Sequence, residues 1–173
     1  MSQKQTLVSS VTSGLSGVLN VPGDKSISHR SLILSSMAIG QTKIRGLLRS
    51  EDVLSTLQAM QQLGVSVADD LDNNVIIVKG IGTCGFKSPD KPLDLGNSGT
   101  GVRLIMGALA GQPLTASLTG DASLSARPMK RITVPLQQMG AQIAYLPENE
   151  KKGLLPVTIT GANPALPLSY ATQ

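Results

Sequence analysis

Two glycine-rich stretches of this chain combine hydroxyl side chains with cations in a pattern that suits anion binding. They read Gly23-Asp24-Lys25-Ser26-Ile27-Ser28-His29-Arg30 and Gly96-Asn97-Ser98-Gly99-Thr100-Gly101-Val102-Arg103. Each lies at the predicted start of a helix, where unpaired backbone N–H groups carry partial positive charge and bind phosphate or carboxylate. We therefore expect two anion-binding turns, with ordinary tight turns as the alternative.

The cations of these stretches have spacings that place them near such a ligand. Lys25 directly precedes Ser26, and Arg30 lies one helical turn beyond Ser26 on the same side. Arg127 directly precedes Pro128, which is expected at the first position of a helix over residues 127–139. A cation at a helix start opposes the dipole, so Arg127 hints at a bound anion. Solvated surface cations are the alternative interpretation for each.

Other chemistry finds less support. Neither stretch matches a Walker A loop or the glycine pattern of dinucleotide-binding folds. His29 is the sole histidine and has no nearby Cys or carboxylate cluster. We therefore expect it to have a structural or solvated role and to form no metal site. Cys84 is the sole cysteine, and no base is placed beside it. Asp24, Asp94 and Asp121 are interpreted as turn formers rather than proton donors.

The composition favours a globular chain that binds small anions. The chain has 173 residues, of which 40% are hydrophobic and 15% charged, with a net charge of +4. Aromatic residues, on which single-stranded nucleic acid stacks, are nearly absent, and the basic residues form no runs, so neither nucleic acid nor a membrane surface is expected as a partner. No segment is predicted to span a membrane or to be a targeting peptide, which indicates a cytoplasmic protein.

An internal repeat organises the elements that must position these turns. Gln61-Gln62-Leu63-Gly64 recurs as Gln137-Gln138-Met139-Gly140. Each unit is predicted to run turn, helix, strand, helix, strand, strand, which gives an α/β protein of two similar units. The predicted strands of the first unit include residues 41–47, and Ser50 is predicted to cap its second helix. In the second unit, a helix is expected over residues 98–110.

Three motifs of this chain resemble the sequence signatures of one known family. The run from Val21 to Arg30 resembles the opening signature of 5-enolpyruvylshikimate-3-phosphate synthases. The run from Leu95 to Arg103 is similar to their second signature, and Gly120-Asp121-Ala122-Ser123-Leu124-Ser125-Ala126-Arg127-Pro128-Met129 to their third. The order and spacing also match, and the similarity extends over residues 15–173.

The resemblance implies a fold, a reaction and a set of site residues. The fold is that of the enolpyruvyl transferases, built from repeated βαβαββ units, of which this chain would hold two of the three in an N-terminal domain. The reaction transfers the enolpyruvyl group of phosphoenolpyruvate to shikimate 3-phosphate in aromatic amino-acid biosynthesis, without metal or cofactor. The residues implied to bind shikimate 3-phosphate are Lys25, Ser26 and Arg30. Those implied to bind phosphoenolpyruvate, and the herbicide glyphosate in the same space, are Lys25, Gly99 and Arg127, with Asn97, Thr100 and Arg103 shaping the pocket.

The chain is much shorter than members of that family, and this sets its expected organisation. We interpret residues 1–17 as a lead-in, 18–82 and 83–161 as two repeats, and 162–173 as a connector toward a third repeat and a second domain. The acid–base carboxylates of the family would lie outside this chain, which is expected to be inactive alone. Its expected partners are anionic small molecules, the remainder of the enzyme, or a second copy. The alternatives are a non-catalytic anion-binding module and, less favoured, a UDP-N-acetylglucosamine enolpyruvyl transferase.

Overall fold

The computed structural model describes residues 6–11 and 13–171, which form six helices and seven strands. The parts of the lead-in and connector at residues 1–5, 12 and 172–173 lie outside the described residues. The helices are α1 (Lys25–Met37), α2 (Glu51–Gln62), α3 (Gly99–Leu109), α4 (Ala122–Ser125), α5 (Lys130–Gln138) and α6 (Pro147–Glu150). The strands are β1 (Ile39–Arg45), β2 (Ser66–Asp70), β3 (Val75–Ile81), β4 (Leu93–Asp94), β5 (Thr115–Thr119), β6 (Gln142–Tyr145) and β7 (Val157–Thr160).

The two predicted units form two sheets of related topology. The first sheet has the order β1-β3-β2, and both of its strand pairs are antiparallel. The second has the order β4-β5-β7-β6, in which β5-β7-β6 repeats the antiparallel arrangement of the first sheet. β4 adds a short parallel partner to β5. The second unit therefore has a complete βαβαββ order once the short helices are set aside, whereas no strand precedes α1 among residues 13–24.

The repeated Gln-Gln-x-Gly sequence ends α2 and α5 in the same way. Gly64 and Gly140 have φ values of +94° and +100°, a left-handed conformation that glycine adopts without a Cβ penalty. After each glycine, the next backbone N–H bonds back into the helix over the same span, from Val65 to Met60 and from Ala141 to Leu136, both at 3.1 Å. The internal repeat is thus confirmed in three dimensions.

Helices pack together to form the layer that carries the site. α1, α2 and α3 contact one another, while α1 also packs on β3 and α3 on β7. One cluster of buried apolar side chains joins both units, including Leu32, Met60, Val102, Ile105 and Leu118. Because burial of each such side chain contributes roughly 1.5–3 kcal/mol, this shared core fixes the three helices relative to one another.

The structure differs from several local predictions. β1 covers Ile39–Arg45 rather than residues 41–47, because Leu47 leaves the edge of the sheet and is buried in the core. Ser50 occupies the position before α2, but its side chain makes no capping hydrogen bond. α4 and β4 were not foreseen, since segments of four and two residues are too short to show a period.

The structure also corrects the predicted position of Arg127 at the start of a helix. α5 begins at Lys130, so Pro128 does not occupy the first position of that helix. Arg127 instead follows the C-terminal end of α4, and its N–H donates to the carbonyl of Leu124 at 3.0 Å. A cation is favourable at a helix C-terminus, so the inference from the dipole to a bound anion does not hold. Any role of Arg127 in binding must rest on its side-chain contacts.

None of the helices among residues 6–11 and 13–171 combines the length and the hydrophobicity that a membrane span requires.

Candidate anion-binding site

The first glycine-rich turn is fixed by its own polar side chains. Asp24 precedes α1, and its carboxylate accepts the N–H of Ile27 at 2.8 Å. Ser28 Oγ accepts the N–H of Leu48 at 3.0 Å, which ties the turn to the loop after β1. A Cβ at Gly23 would collide with the backbone of that loop, so only glycine fits there. The prediction that Asp24 forms the turn is confirmed.

Lys25 forms an ion pair with Asp52, which lies in the first turn of α2. The side chains are 48% and 20% exposed, so the ammonium group keeps access to solvent. Ser26 and Arg30 are also exposed, and Arg30 Nη1 donates to the carbonyl of Ser26 at 3.1 Å. Sequence reasoning missed the partner of Lys25, because the two residues are 27 positions apart and no local spacing relates them.

The second glycine-rich turn forms the start of α3. Asp94 accepts the N–H of Gly96 at 2.9 Å, which confirms its expected role as a turn former. Ser98 is buried and caps the helix by accepting the N–H of Gly101 at 3.1 Å. Arg103 folds back along the helix and donates to the carbonyl of Gly99 at 3.0 Å. Thr100 is exposed on the same first turn.

Arg127 is held over this turn by a chain of polar contacts. Its Nη2 donates to Asn97 Oδ1 at 2.6 Å and to Ser123 Oγ at 3.1 Å. Asn97 Nδ2 in turn donates to Asp121 Oδ2 at 2.8 Å. These bonds join the second and third motifs, and the Arg127 side chain is only partly buried. Its guanidinium can therefore meet an anion without a change of conformation.

Asp121 anchors that chain of contacts. Its carboxylate accepts the N–H of Leu124 at 2.7 Å, and its own N–H donates to the carbonyl of Gly96 at 2.9 Å. The hydrogen bond from Leu124, followed by the one from Asn97, lowers the pKa of Asp121 below its ordinary value. Asp121 is thus an ionised turn former, as expected, and is poorly suited to donate a proton.

Gly99 lies directly beneath two guanidinium groups. A Cβ placed on it would lie 2.9 Å from Arg127 Nη1 and 3.2 Å from Arg103 Nη1. Gly99 is itself buried, so these groups cover it. The start of α3, which is the positive end of the helix dipole, and two cations therefore meet at one place, and this arrangement favours phosphate and carboxylate.

α2 links the two turns. Asp52 contacts the first turn through Lys25, and the hydroxyl of Ser55 lies 3.5 Å from the position that a Cβ of Gly96 would take. The two turns therefore lie against the same end of α2. The sequence predicted each turn separately, whereas this neighbourhood depends on packing of the three helices.

The remaining candidate residues take no part in the polar contacts of the two turns. His29 is fully buried and Cys84 is exposed. In the part of the chain that the structure describes, no group of three or more His, Cys, Asp or Glu could hold a metal ion.

An apolar groove of about 270 Å³ runs between α1 and α3 with Arg30 at its edge; its other lining residues are Ile33, Leu34, Met37, Leu104 and Ala108.

Comparison with known proteins points to one family. A family profile described as EPSP synthase (3-phosphoshikimate 1-carboxyvinyltransferase) matches residues 10–170. A 3-phosphoshikimate 1-carboxyvinyltransferase of Rhodopseudomonas palustris (strain BisB5) is 49% identical over 170 residues, which are 98% of this chain and 37% of that protein. One from Streptococcus mutans is 54% identical over 158 residues, 91% of this chain and 36% of that protein.

A solved structure supports the same relationship. The EPSP synthase from Acinetobacter baumannii superposes with a TM-score of 0.81 at 46% sequence identity. The superposition covers 89% of this chain and 34% of that one. The chain therefore spans about a third of the length of the relatives that it matches.

Proposed function

Because the chain belongs to the EPSP synthase (3-phosphoshikimate 1-carboxyvinyltransferase) family, and so has the enolpyruvyl transferase fold, we propose that its two turns hold the two anions of that reaction. Lys25, Ser26 and Arg30 hold shikimate 3-phosphate. Lys25, Gly99 and Arg127 hold phosphoenolpyruvate, in a pocket shaped by residues of the second motif, Asn97, Thr100 and Arg103. The proposal assigns no metal or cofactor and no nucleic-acid partner.

The observation that carries this proposal is the position of Arg127 over Gly99. Arg127 Nη1 lies 2.9 Å from the position that a Cβ of Gly99 would take, and Asn97 and Ser123 hold the guanidinium there. A small phosphate or carboxylate at the start of α3 meets the positive end of the helix dipole on one side and Arg127 on the other. Charge-assisted hydrogen bonds of this kind are worth roughly 1.5–3 kcal/mol each.

The chemistry proposed for the whole enzyme is addition followed by elimination. The methylene carbon of phosphoenolpyruvate takes up a proton while a shikimate hydroxyl, losing its own proton, attacks the adjacent carbon. Phosphate then leaves, and loss of a proton from the new methyl group restores the double bond. In these steps Lys25 and Arg127 neutralise the charge of the reactants and of the departing phosphate.

No acid–base residue is assigned within this chain. The three carboxylates of the turns, Asp24, Asp94 and Asp121, each accept a backbone N–H and so have a structural role. The hydrogen bond from Leu124 also lowers the pKa of Asp121. We therefore propose that the chain binds both anions without turning them over, which keeps the non-catalytic binding module as the second candidate function. The cytoplasm, where Cys84 stays reduced, is the proposed compartment.

Calorimetry on the 173-residue chain tests the proposed function. We expect shikimate 3-phosphate and phosphoenolpyruvate to bind with one site each, more tightly at low salt, because both ligands are held by charge. The matched comparison is UDP-N-acetylglucosamine, the substrate of the sister transferase, which should bind no better than a neutral sugar. Absence of binding by both anions would contradict the proposal, and release of phosphate from the mixture would contradict the assignment of binding without turnover.

A further inference from the structure

His29 is a polar residue of the first motif to which the proposed function gives no role. It lies on α1 and is 0% exposed, and burial of its ring nitrogens costs free energy unless they are hydrogen-bonded. Its Nδ1 lies 2.8 Å from Oγ1 of Thr56 on α2. Its Nε2 is also buried and has no hydrogen-bond partner among the described residues. Burial of an unpaired ring nitrogen costs free energy, so a physical reason for the burial of His29 is expected.

The contact between His29 and Thr56 repeats the contact between Lys25 and Asp52 one helical turn deeper. Lys25 and His29 are four positions apart on α1, and Asp52 and Thr56 are four positions apart on α2. Both pairs join residues that are 27 positions apart in the chain. The helices therefore lie side by side in the same direction, with an exposed ionic contact at the end and a buried polar contact beneath it.

Thr56 also fixes the position of α3. Its Oγ1 lies 2.7 Å from the position that a Cβ of Gly101 would occupy, and Ser98 Oγ lies 2.5 Å from that position. Gly101 is within the first turn of α3, two residues beyond Gly99. Because Gly101 has no side chain, α3 can approach Thr56 closely. The hydroxyl thus lies where all three helices meet.

The hydrogen bonds assign a direction to this contact. Thr56 has one hydroxyl proton, which it donates to the carbonyl of Asp52 at 3.4 Å. It then accepts from His29, which carries its proton on Nδ1 and leaves an unpartnered lone pair on Nε2. The reverse arrangement would leave an N–H group unpaired in the interior, and buried unpaired N–H groups are the rarer case. Burial, and then the charge of Lys25, lower the pKa of His29, which keeps the ring neutral.

We propose that the hydrogen bond from His29 to Thr56 is a positioning contact that sets α1 against α2 and α3 and thereby holds Lys25 in place at the first turn. His29 and Thr56 act through Lys25 and touch no ligand. The inference rests on the proposed function only in the identity of the ligand that Lys25 meets. The contact is needed because the ionic pair of Lys25 and Asp52 is itself exposed, and exposed pairs of this kind contribute little by themselves.

Two variants of Thr56 separate this role from general stability. Thr56→Val removes the hydroxyl with little change of shape, and Thr56→Ser keeps it. With calorimetry on folded variants of the 173-residue chain, we expect Thr56→Val to weaken shikimate 3-phosphate binding about fivefold or more, and Thr56→Ser to stay within about twofold. Equal affinities of the wild-type chain and Thr56→Val would overturn the proposal.

A double-mutant cycle provides a readout that a loss of stability does not reproduce. If Thr56 acts through Lys25, Thr56→Val causes no further loss of affinity in a Lys25→Ala background, because the group that it positions is gone. Purely additive losses would show that Thr56 acts on binding by another route and would overturn the proposal.

The single histidine allows the contact to be observed directly by ¹⁵N NMR. We expect the wild-type chain to show a neutral ring protonated on Nδ1, and Thr56→Val to lose that form in favour of the Nε2–H tautomer. A wild-type ring protonated on Nε2 would overturn the assignment.

A ligand-free readout keeps this inference distinct from the proposed function. The ¹⁵N shift of the Lys25 ammonium group should move in Thr56→Val and stay in place in Thr56→Ser. If the wild-type chain binds no shikimate 3-phosphate, the proposed function fails, but this shift and the tautomer still decide the positioning contact. An unmoved Lys25 shift in Thr56→Val overturns it.

Discussion

The guanidinium of Arg127 covers Gly99 so closely that a methyl group on Gly99 would lie 2.9 Å from Nη1. The contacting atom is the end of a flexible side chain, so the two can separate, but only if the guanidinium moves away from the start of α3. The absence of a side chain at position 99 is therefore what allows a guanidinium group to lie against the start of α3.

The first prediction is that Gly99→Ala weakens binding of glyphosate more than binding of phosphoenolpyruvate. The added methyl group takes space above the turn and shifts Arg127, and the longer ligand has less room to adjust. One extra carbon in a close-packed site costs about 1–3 kcal/mol. The measurement is the ratio of the two dissociation constants before and after substitution. A ratio that does not rise would mean that Gly99 does not line the ligand space.

The second prediction is that Arg127→Ala weakens phosphoenolpyruvate binding by about 10- to 100-fold and shikimate 3-phosphate binding much less. Arg127 is held over the second turn by Asn97, whereas shikimate 3-phosphate is assigned to the first. Calorimetry with each ligand separates the two effects. Arg131→Ala is the matched control, because it removes the same charge from an exposed position on α5 and should leave both affinities unchanged. Equal losses for both ligands would show that the pocket is wrongly assigned.

The third prediction is that Lys25→Ala reduces affinity for shikimate 3-phosphate more than Ser26→Ala does. Removal of a cation that faces an anion is expected to cost about 10- to 100-fold in affinity, and loss of a neutral hydroxyl about 2- to 10-fold. Both residues are exposed, so neither change should unfold the chain. Lys43→Ala, on β1, serves as the control for net charge. A larger effect of Ser26→Ala would contradict the assignment.

The fourth prediction concerns the pH dependence of stability. Burial, followed by the charge of Lys25, holds the pKa of His29 below its ordinary value of 6.5, with Arg30 acting in the same direction and Asp52 against it. Between the folded and unfolded pKa values, the unfolded chain binds more protons, so stability falls as the pH falls below about 6.5. This contribution is fully present above that pH.

Urea unfolding at about pH 7.5 and about pH 5.5 checks this expectation, with His29→Asn as the control. The drop in unfolding free energy between the two pH values should be larger for the wild-type chain than for His29→Asn. The carboxylates whose pKa values are lowered, Asp69 and Asp121, change charge only well below this range. Identical drops for both chains would show that His29 is not buried in its neutral form.

The sequence by itself determined the local chemistry of this protein. Asp24 and Asp121 were predicted to form turns from residue type alone, and both accept a backbone N–H three positions ahead. The repeated Gln-Gln-x-Gly sequence correctly placed the ends of α2 and α5, because a left-handed residue after a helix favours glycine wherever it occurs. These features depend on neighbours in the chain, and the residues carry that information with them.

Tertiary structure alone decided which of these pieces meet. Lys25 finds Asp52, and His29 finds Thr56, across 27 positions in each case. No periodicity encodes such distances, because they follow from burial of a core shared by three helices. Arg127 shows the same limit, since its expected place at a helix start was wrong while its position over Gly99 depends on Asn97 and Ser123. Long-range contacts are set by packing, which depends on the whole chain at once.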